Sequence, residues 1–218
     1  MTRRIALIHA TPLAIDPIAS TFAAMWPEAR LTNLLEDSLS QDLAAARELT
    51  ASMHRRFSDL ATYARDCGAD AVLFTCSAFG PCIETARRVV GIPVLKPNEA
   101  MIEEALALGS RLALVATFEP SLPSMVAELE EAAQSRAQTV DITVRAVPGA
   151  MDALRAGRPQ DHDAQIADAV RDLDNVDAVI LAQFSMARAN AAAAKATAAP
   201  VLTSPNSAVL RLKSLLAT

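Results

Sequence analysis

Apolar residues in this chain fall into short, dense runs separated by longer stretches in which they recur at helical spacing. Residues 5–10 form the first run, closed by Thr11-Pro12, and read as a buried strand ending in a loop. Residues 12–26 follow with helical character, and residues 28–35 make a weak second strand. Ser40 is placed to cap a helix whose apolar spacing runs from Gln41 to Arg65 and stops at Gly68. Residues 71–74 are a continuous apolar strand, followed by a helix over 81–90 and a short strand within 91–95. Asn98 then caps a helix running to Leu108. The same order returns: a strand at 112–116, a helix opened by Ser121 or Ser124 and running to Ala137, and a strand at 140–147. A helix from Asp161 to Leu173, a strand at 178–181 and an Ala-rich helix from Met186 come next. A strand at 201–202 and a last helix capped by Asn206 complete the chain. Strands alternating with helices predict parallel sheets joined by right-handed crossovers.

The return is a repeat. Arg4-Ile-Ala-Leu-Ile-His9 reads against Arg111-Leu-Ala-Leu-Val-Ala116, Asp70-Ala-Val-Leu-Phe-Thr-Cys76 against Asp177-Ala-Val-Ile-Leu-Ala-Gln183, and Pro93-Val-Leu95 against Pro200-Val-Leu202, each 107 residues on. That period is far too long for a solenoid and fits two small α/β lobes. The first lobe is expected to take residues 1–97 plus 205–218, and the second residues 98–204. No Pro/Gly/Ser linker separates them, so residues 96–110 read as a hinge, and the last helix is expected to return to the first lobe. Ligands of open parallel sheets bind beyond the carboxyl ends of the strands. The loops that follow His9, Thr75, Thr117 and Ala182 are therefore the places to look, with the site expected in a cleft between the lobes.

Composition narrows the field. Hydrophobic residues make up 52% of the chain but aromatics only 4%, so the cores are expected to be Val, Leu, Ile and Ala, as in buried parallel strands. The net charge is −5 and no basic stripe is interleaved with aromatics, so nucleic acid is not an expected partner. Three unevenly placed cysteines do not make a disulfide framework and fit a reducing cytoplasm. The basic Met1-Thr-Arg-Arg4 opening precedes an apolar run too short for a secretory leader, and no segment has the length of a membrane span. The expectation is a soluble cytoplasmic protein with no membrane partner. Six glycines without a GxGxxG or GxxxxGK[ST] pattern suggest no nucleotide cofactor, and no Cys/His spacing suggests zinc.

Cys76 lies just past a buried strand and shortly before a helix. A thiol there can be activated by helix-terminal N–H groups and serve as acid, base or nucleophile. It can equally be a small buried hydrophobe. Cys82 and Cys67 read as structural. Gln183 holds the matching place in the second lobe; its carboxamide can donate and accept hydrogen bonds but exchanges no proton near neutral pH. His9, Thr11, Thr75, Ser77, Thr117, Ser185 and Ser204 gather hydroxyls and an imidazole in or near strand-end loops, a set suited to carboxylate recognition. His9 reads as a buried histidine or as a helper that polarises Cys76. His54 and His162 read as solvated among helix charges.

The duplicated lobe, Thr75-Cys-Ser77, the mirrored Leu181-Ala-Gln-Phe-Ser-Met186 and the Pro-Val-Leu segments resemble the Asp/Glu/hydantoin racemase superfamily over essentially the whole chain. The resemblance implies two pseudo-symmetric Rossmann-like or flavodoxin-like lobes, a site between them, no cofactor, a small carboxylate substrate and a homo-oligomer. It implies one catalytic cysteine from each lobe, working on opposite faces of the α-carbon. Cys76 matches the first; Gln183 stands where the second is expected. It further implies that Thr11, Pro12, Thr75, Ser77, Thr117, Gln183, Phe184 and Ser185 bind substrate, with Phe184 narrowing the pocket. The expected function is a racemase-family isomerase working through a single cysteine. The alternatives are a one-thiol lyase of the malonate decarboxylase type, or a carboxylate-binding protein that has lost catalysis.

Overall fold

The structure, a computed structural model, describes residues 2–217. The chain divides into two compact units, residues 1–100 with 208–218 and residues 101–207. In the first, β1 (Arg4–His9), α1 (Ile15–Met25), β2 (Arg30–Leu35), α2 (Ser38–Ala46), α3 (Ala51–Asp66), β3 (Ala71–Phe74), α4 (Gly80–Val90) and β4 (Val94–Leu95) follow in order. Helix α5 (Glu99–Leu108) leads into the second unit. That unit contains β5 (Arg111–Ala116), α6 (Leu122–Ser135), β6 (Asp141–Ala146), α7 (Pro148–Arg155), α8 (Pro159–Arg171), β7 (Ala178–Leu181), α9 (Asn190–Ala196) and β8 (Val201–Thr203). Helix α10 (Ser204–Leu216) carries the chain back. Both crossings between units therefore lie inside helices, and residues 99–108 are helical where a hinge is expected from the sequence.

Each unit has a four-stranded parallel sheet, ordered β2-β1-β3-β4 and β6-β5-β7-β8. The 107-residue repeat extends to register: Ile5 pairs with Ala71, and Leu112 with Ala178. It also extends to the strand starts. Asp70 Oδ2 accepts from Arg4 N at 2.7 Å, and Asp177 Oδ2 accepts from Arg111 N at 2.9 Å. The Arg111 guanidinium adds an ion pair of 2.6 Å, which holds the Asp177 carboxyl down to about 2. Gly109 leaves room for that carboxylate, since a Cβ there would lie 2.3 Å from Asp177 Oδ2.

The central strands are apolar because helices cover them. All four residues of β3 and of β7 are buried, whereas the edge strands β2 and β6 remain largely exposed. In the second unit, side chains of β5 and β7 alternate between two cores. Leu112, Leu114 and Ile180 meet α5 and α6, while Val115, Val179 and Leu181 meet α7, α8 and α9. In the first unit, Ala6, Ile8, Val72 and Phe74 pack with α3 and α4. Aromatics are scarce in the chain, yet three are concentrated here: Phe57 of α3 lies 4.9 Å, centroid to centroid, from both Phe74 and Phe79.

Four local expectations are corrected. The helix read over 41–65 is two helices: Arg47 takes a left-handed φ of 58°, and the Thr50 hydroxyl caps α3 by accepting from Met53 N at 3.3 Å. Capping and a left-handed stop outweigh the continuous apolar spacing. Ser40 caps nothing; its hydroxyl donates to Ala10 O at 2.8 Å and ties α2 to the loop after β1. Helix α7 has no counterpart in the sequence reading, because its buried face consists only of Ala150 and Ala153, too small to mark an apolar stripe. At α10 it is Thr203 Oγ1 that accepts from Asn206 N (3.4 Å), so the hydroxyl ending β8, and not Asn206, meets the helix N–H groups. The last helix does join the first unit: Leu216 O accepts from Arg3 Nη2 at 2.9 Å, and Lys213 Nζ donates to Met25 O at 3.0 Å.

Phe57 is 2% exposed and fills the space under the segment that carries Cys76. Phe57→Ala is expected to cost about 3–5 kcal/mol, measured by urea unfolding of the intact chain. A loss under about 1 kcal/mol would show that the aromatic trio does not hold this unit together.

Candidate active site

Parallel pairing sets where the loops begin. Thr75 N–H still pairs with Ile8 O (3.0 Å), and Ala182 N–H with Val115 O (2.9 Å), again 107 residues apart. The next residues, Cys76 and Gln183, are the first beyond these bonds.

Cys76 is extended (φ −123°, ψ 116°) and precedes a 3-10 turn, Ser77–Phe79, that runs directly into α4. It is half-buried and packs on the edge of the first unit's core. With Ile8, His9, Ala10, Leu39, Phe57 and Phe74 it lines a narrow crevice at the carboxyl end of the sheet. The Ala78 backbone N–H reaches the sulfur and lowers its pKa, but burial is the larger effect and pushes the thiol up. The helix-end activation expected from the sequence is present and is outweighed. At neutral pH this thiol holds its proton. Cys82 is fully buried in α4, and burial raises its pKa too; Cys67 is exposed at the end of α3.

His9 is 0% exposed, with Nδ1 2.9 Å from Thr75 Oγ1 and Nε2 3.0 Å from Asn33 Oδ1. A neutral ring with its proton on Nε2 satisfies both contacts, donating to Asn33 and accepting from the Thr75 hydroxyl. Burial lowers the His9 pKa, opposed by the Asn33 bond. Both nitrogens are therefore taken up, and His9 meets Cys76 only as a neighbour in the crevice wall. The Thr11 hydroxyl accepts from Leu13 N at 3.5 Å and caps its own turn; Pro12 and Ser77 are exposed.

In the second unit, Thr117 and Gln183 come together. Thr117 N–H and Oγ1–H both donate to Gln183 Oε1, at 2.8 and 3.2 Å, while Gln183 Nε2 donates to Ser121 Oγ at 2.8 Å. A backbone N–H can only donate, which fixes the orientation of the carboxamide. Phe184 and Ser185 are half-buried and open the following 3-10 turn, Phe184–Ala189. Ser204 is not in an open loop: it is the first residue of α10, fully buried, with its hydroxyl 3.6 Å from Met101 Sδ. His54 is half-buried, with Nδ1 2.8 Å from Thr85 Oγ1. His162 is fully buried beside Asp163 at 2.8 Å, so neither histidine is free in solvent. Asn33, Ser40 and Ser121 are the supporting residues the sequence did not single out as such. Only their register beside the repeated strands could have marked them.

Among the described residues, no three His, Cys, Asp or Glu side chains group to hold a metal ion. A cavity of about 370 Å³ lies at the amino end of the first sheet, lined by Thr2, Arg3, Trp26, Glu28, Lys213, Leu216 and Ala217. It holds no thiol or imidazole and sits at the wrong end for a parallel sheet. The Cys76 crevice is too narrow to admit a water molecule as it stands, but it lies at the carboxyl end of the sheet and carries the thiol, which makes it the better candidate.

Because burial depresses the His9 pKa in the folded chain, the unfolded chain binds the proton more readily. The stabilising effect is complete above the ordinary histidine value of about 6.5 and is lost as pH falls from there toward the folded value. Urea midpoints are expected to drop from pH 7 to pH 5, and to drop less in His9→Gln. Equal drops would show that His9 contributes nothing to the acid lability.

The profile of the Asp/Glu/hydantoin racemase family matches residues 9–212. No curated protein matches the chain in sequence. Among solved structures, an aspartate racemase homologue from Pyrococcus horikoshii OT3 aligns with a TM-score of 0.75 at 14% identity, covering 100% of both chains. Allantoin racemase from Klebsiella pneumoniae aligns at 0.70 and 18% identity, covering 99% of this chain and 88% of that one. Unliganded arylmalonate decarboxylase aligns at 0.67 and 15% identity, covering 98% of this chain and 93% of that one. At these identities the solved structures establish the shared α/β fold. With the family profile spanning nearly the whole chain, this protein belongs to the Asp/Glu/hydantoin racemase family.

Proposed function

We propose that this chain is a cofactor-independent enzyme that moves a proton at the α-carbon of a small carboxylate, with Cys76 as the only ionisable group at the reacting carbon. The observation that carries the reading is that Cys76 and Gln183 hold equivalent positions at matched strand ends of the repeat: the first unit offers sulfur where the second offers an amide. Thr75 and Ser77 flank the thiol, Thr11 and Pro12 shape the neighbouring loop, and Thr117, Phe184 and Ser185 serve the second unit's loop. Gln183 acts through Thr117 and Ser121. His9 positions Thr75 rather than exchanging protons. The chemistry is one-sided: the Cys76 thiolate takes the α-proton, loop N–H and hydroxyl groups stabilise the enolate-like intermediate, and the same thiol, its proton renewed from solvent, returns a proton to the same face, so that the α-hydrogen is exchanged with solvent and the carbon is not inverted. The setting is cytoplasmic, the partner a small molecule, and the assembly a homo-oligomer.

A one-thiol lyase is the second reading, favoured by one specific observation. Burial keeps the Cys76 thiol protonated at neutral pH, which suits delivery of a proton to a carbanion left by loss of CO₂.

Small carboxylates are to be screened in D₂O: aspartate, glutamate, hydantoins, maleate and arylmalonates. Deuterium at the α-carbon of an otherwise unchanged carboxylate supports the first reading; release of CO₂, with deuterium in the decarboxylated product, supports the second. Binding without either would contradict both and leave a carboxylate-binding protein. Cys76→Ser is expected to reduce turnover at least about a hundredfold while substrate still binds. Turnover that survives the substitution removes Cys76 from the reaction. Because burial raises the thiol pKa, the exchange rate is expected to climb from pH 7 to 9, with its half-rise above the ordinary thiol value of about 8.5. A plateau already reached at pH 7 would mean that another group is the base.

A further inference from the structure

Two donors in the second unit aim at a single point. Thr117 N–H and Thr117 Oγ1–H converge on one oxygen at 2.8 and 3.2 Å. Thr117 is 2% exposed and lies one residue beyond β5, at the carboxyl end of a parallel sheet. A backbone N–H and a hydroxyl meeting on one oxygen is the arrangement that holds a carboxylate oxygen. Here the oxygen belongs to the chain itself, as Gln183 Oε1.

The carboxamide is held at its other end too. Nε2 donates to Ser121 Oγ at 2.8 Å, and that hydroxyl donates on to Phe118 O at 2.7 Å. Both acceptor positions of the amide oxygen and one of its two N–H groups are thereby used. The repeat shows that these three residues form a set. The positions 107 residues earlier are Ala10, Ala14 and Cys76, so the unit with the thiol has neither the hydroxyl of Thr117 nor that of Ser121. A glutamine at position 76 would find no hydroxyl partner at either place.

Thr117 already belongs to the loops read above as carboxylate-binding; we propose that Gln183 is the built-in competitor for its donor pair, occupying it until a ligand carboxylate displaces it. This rests on the reading of the strand-end loops as carboxylate-binding, but not on Cys76 doing chemistry. Gln183 is then a specificity-determining residue that acts through Thr117 and sets how strongly a carboxylate must compete to enter.

The test is a titration of the ¹⁵N-labelled full chain with malonate, following the Thr117 amide and the Gln183 side-chain NH₂. In the wild type, the Thr117 amide is expected to exchange slowly with solvent and to shift only at high malonate, together with the Gln183 NH₂ as the carboxamide is displaced. In Gln183→Ala the amide is expected to exchange faster, with the malonate affinity read there at least tenfold higher. Adding Thr117→Val to that variant is expected to reverse the gain. Equal malonate affinity at Thr117 in wild type and Gln183→Ala would overturn the proposal, as would a Thr117 amide that malonate never moves. Should Gln183→Ala fail to fold, the wild-type titration decides alone, since a Thr117 shift without a Gln183 shift contradicts displacement. Turnover is not read at any point, so failure of the Cys76 chemistry and failure of this proposal are told apart.

Discussion

Parallel pairing dictates where a strand must stop, and in both units the candidate chemistry begins at the first residue past that limit. The bonds from Thr75 N to Ile8 O and from Ala182 N to Val115 O close the ladders at equivalent places. Up to there, side chains are chosen by burial between helices, and β3 and β7 consist of little but aliphatic carbon. Beyond it the backbone turns into a 3-10 segment in each unit, Ser77–Phe79 and Phe184–Ala189. Backbone N–H groups released from the ladder then become available to a sulfur or an oxygen, as that of Ala78 is to Cys76. The aromatic trio of Phe57, Phe74 and Phe79 matters because it props the Cys76 turn from below.

The two loops share a backbone plan and solve opposite problems. A neutral thiol tolerates a half-buried, apolar setting, at the cost of a raised pKa and a small thiolate fraction at neutral pH. A carboxamide in such a setting must find partners, and Gln183 finds three within its own unit. The first loop thus presents a thiol, and the second a carboxamide whose hydrogen bonds are satisfied within its own unit. On the proposed reading, that difference lets a duplicated fold carry proton chemistry on one side alone.

Much of this was legible in the sequence, because a buried parallel strand leaves an aliphatic signature that repeats. Residues 71–74 and 178–181 mark the central strands without ambiguity, and the 107-residue offset makes Cys76 and Gln183 equivalent positions of the repeat. What escaped was decided by single hydrogen bonds. Thr50 and the left-handed Arg47 split a helix whose apolar spacing is continuous. The small face of α7 left no stripe to read. His162 lies among charged neighbours in sequence, yet is buried against Asp163. The partners of Gln183 lie 66 and 62 residues away from it, a distance over which spacing says nothing.

The central claim is that one sulfur, and no second acid or base, exchanges the proton. Its most direct test is the stereochemical course in D₂O, using whichever screened carboxylate turns over and resolving the labelled product on a chiral column. A single thiol delivers deuterium to one face, so one configuration is expected to carry the label. Equal labelling of both configurations at early times would require a second group on the opposite face and would contradict the account.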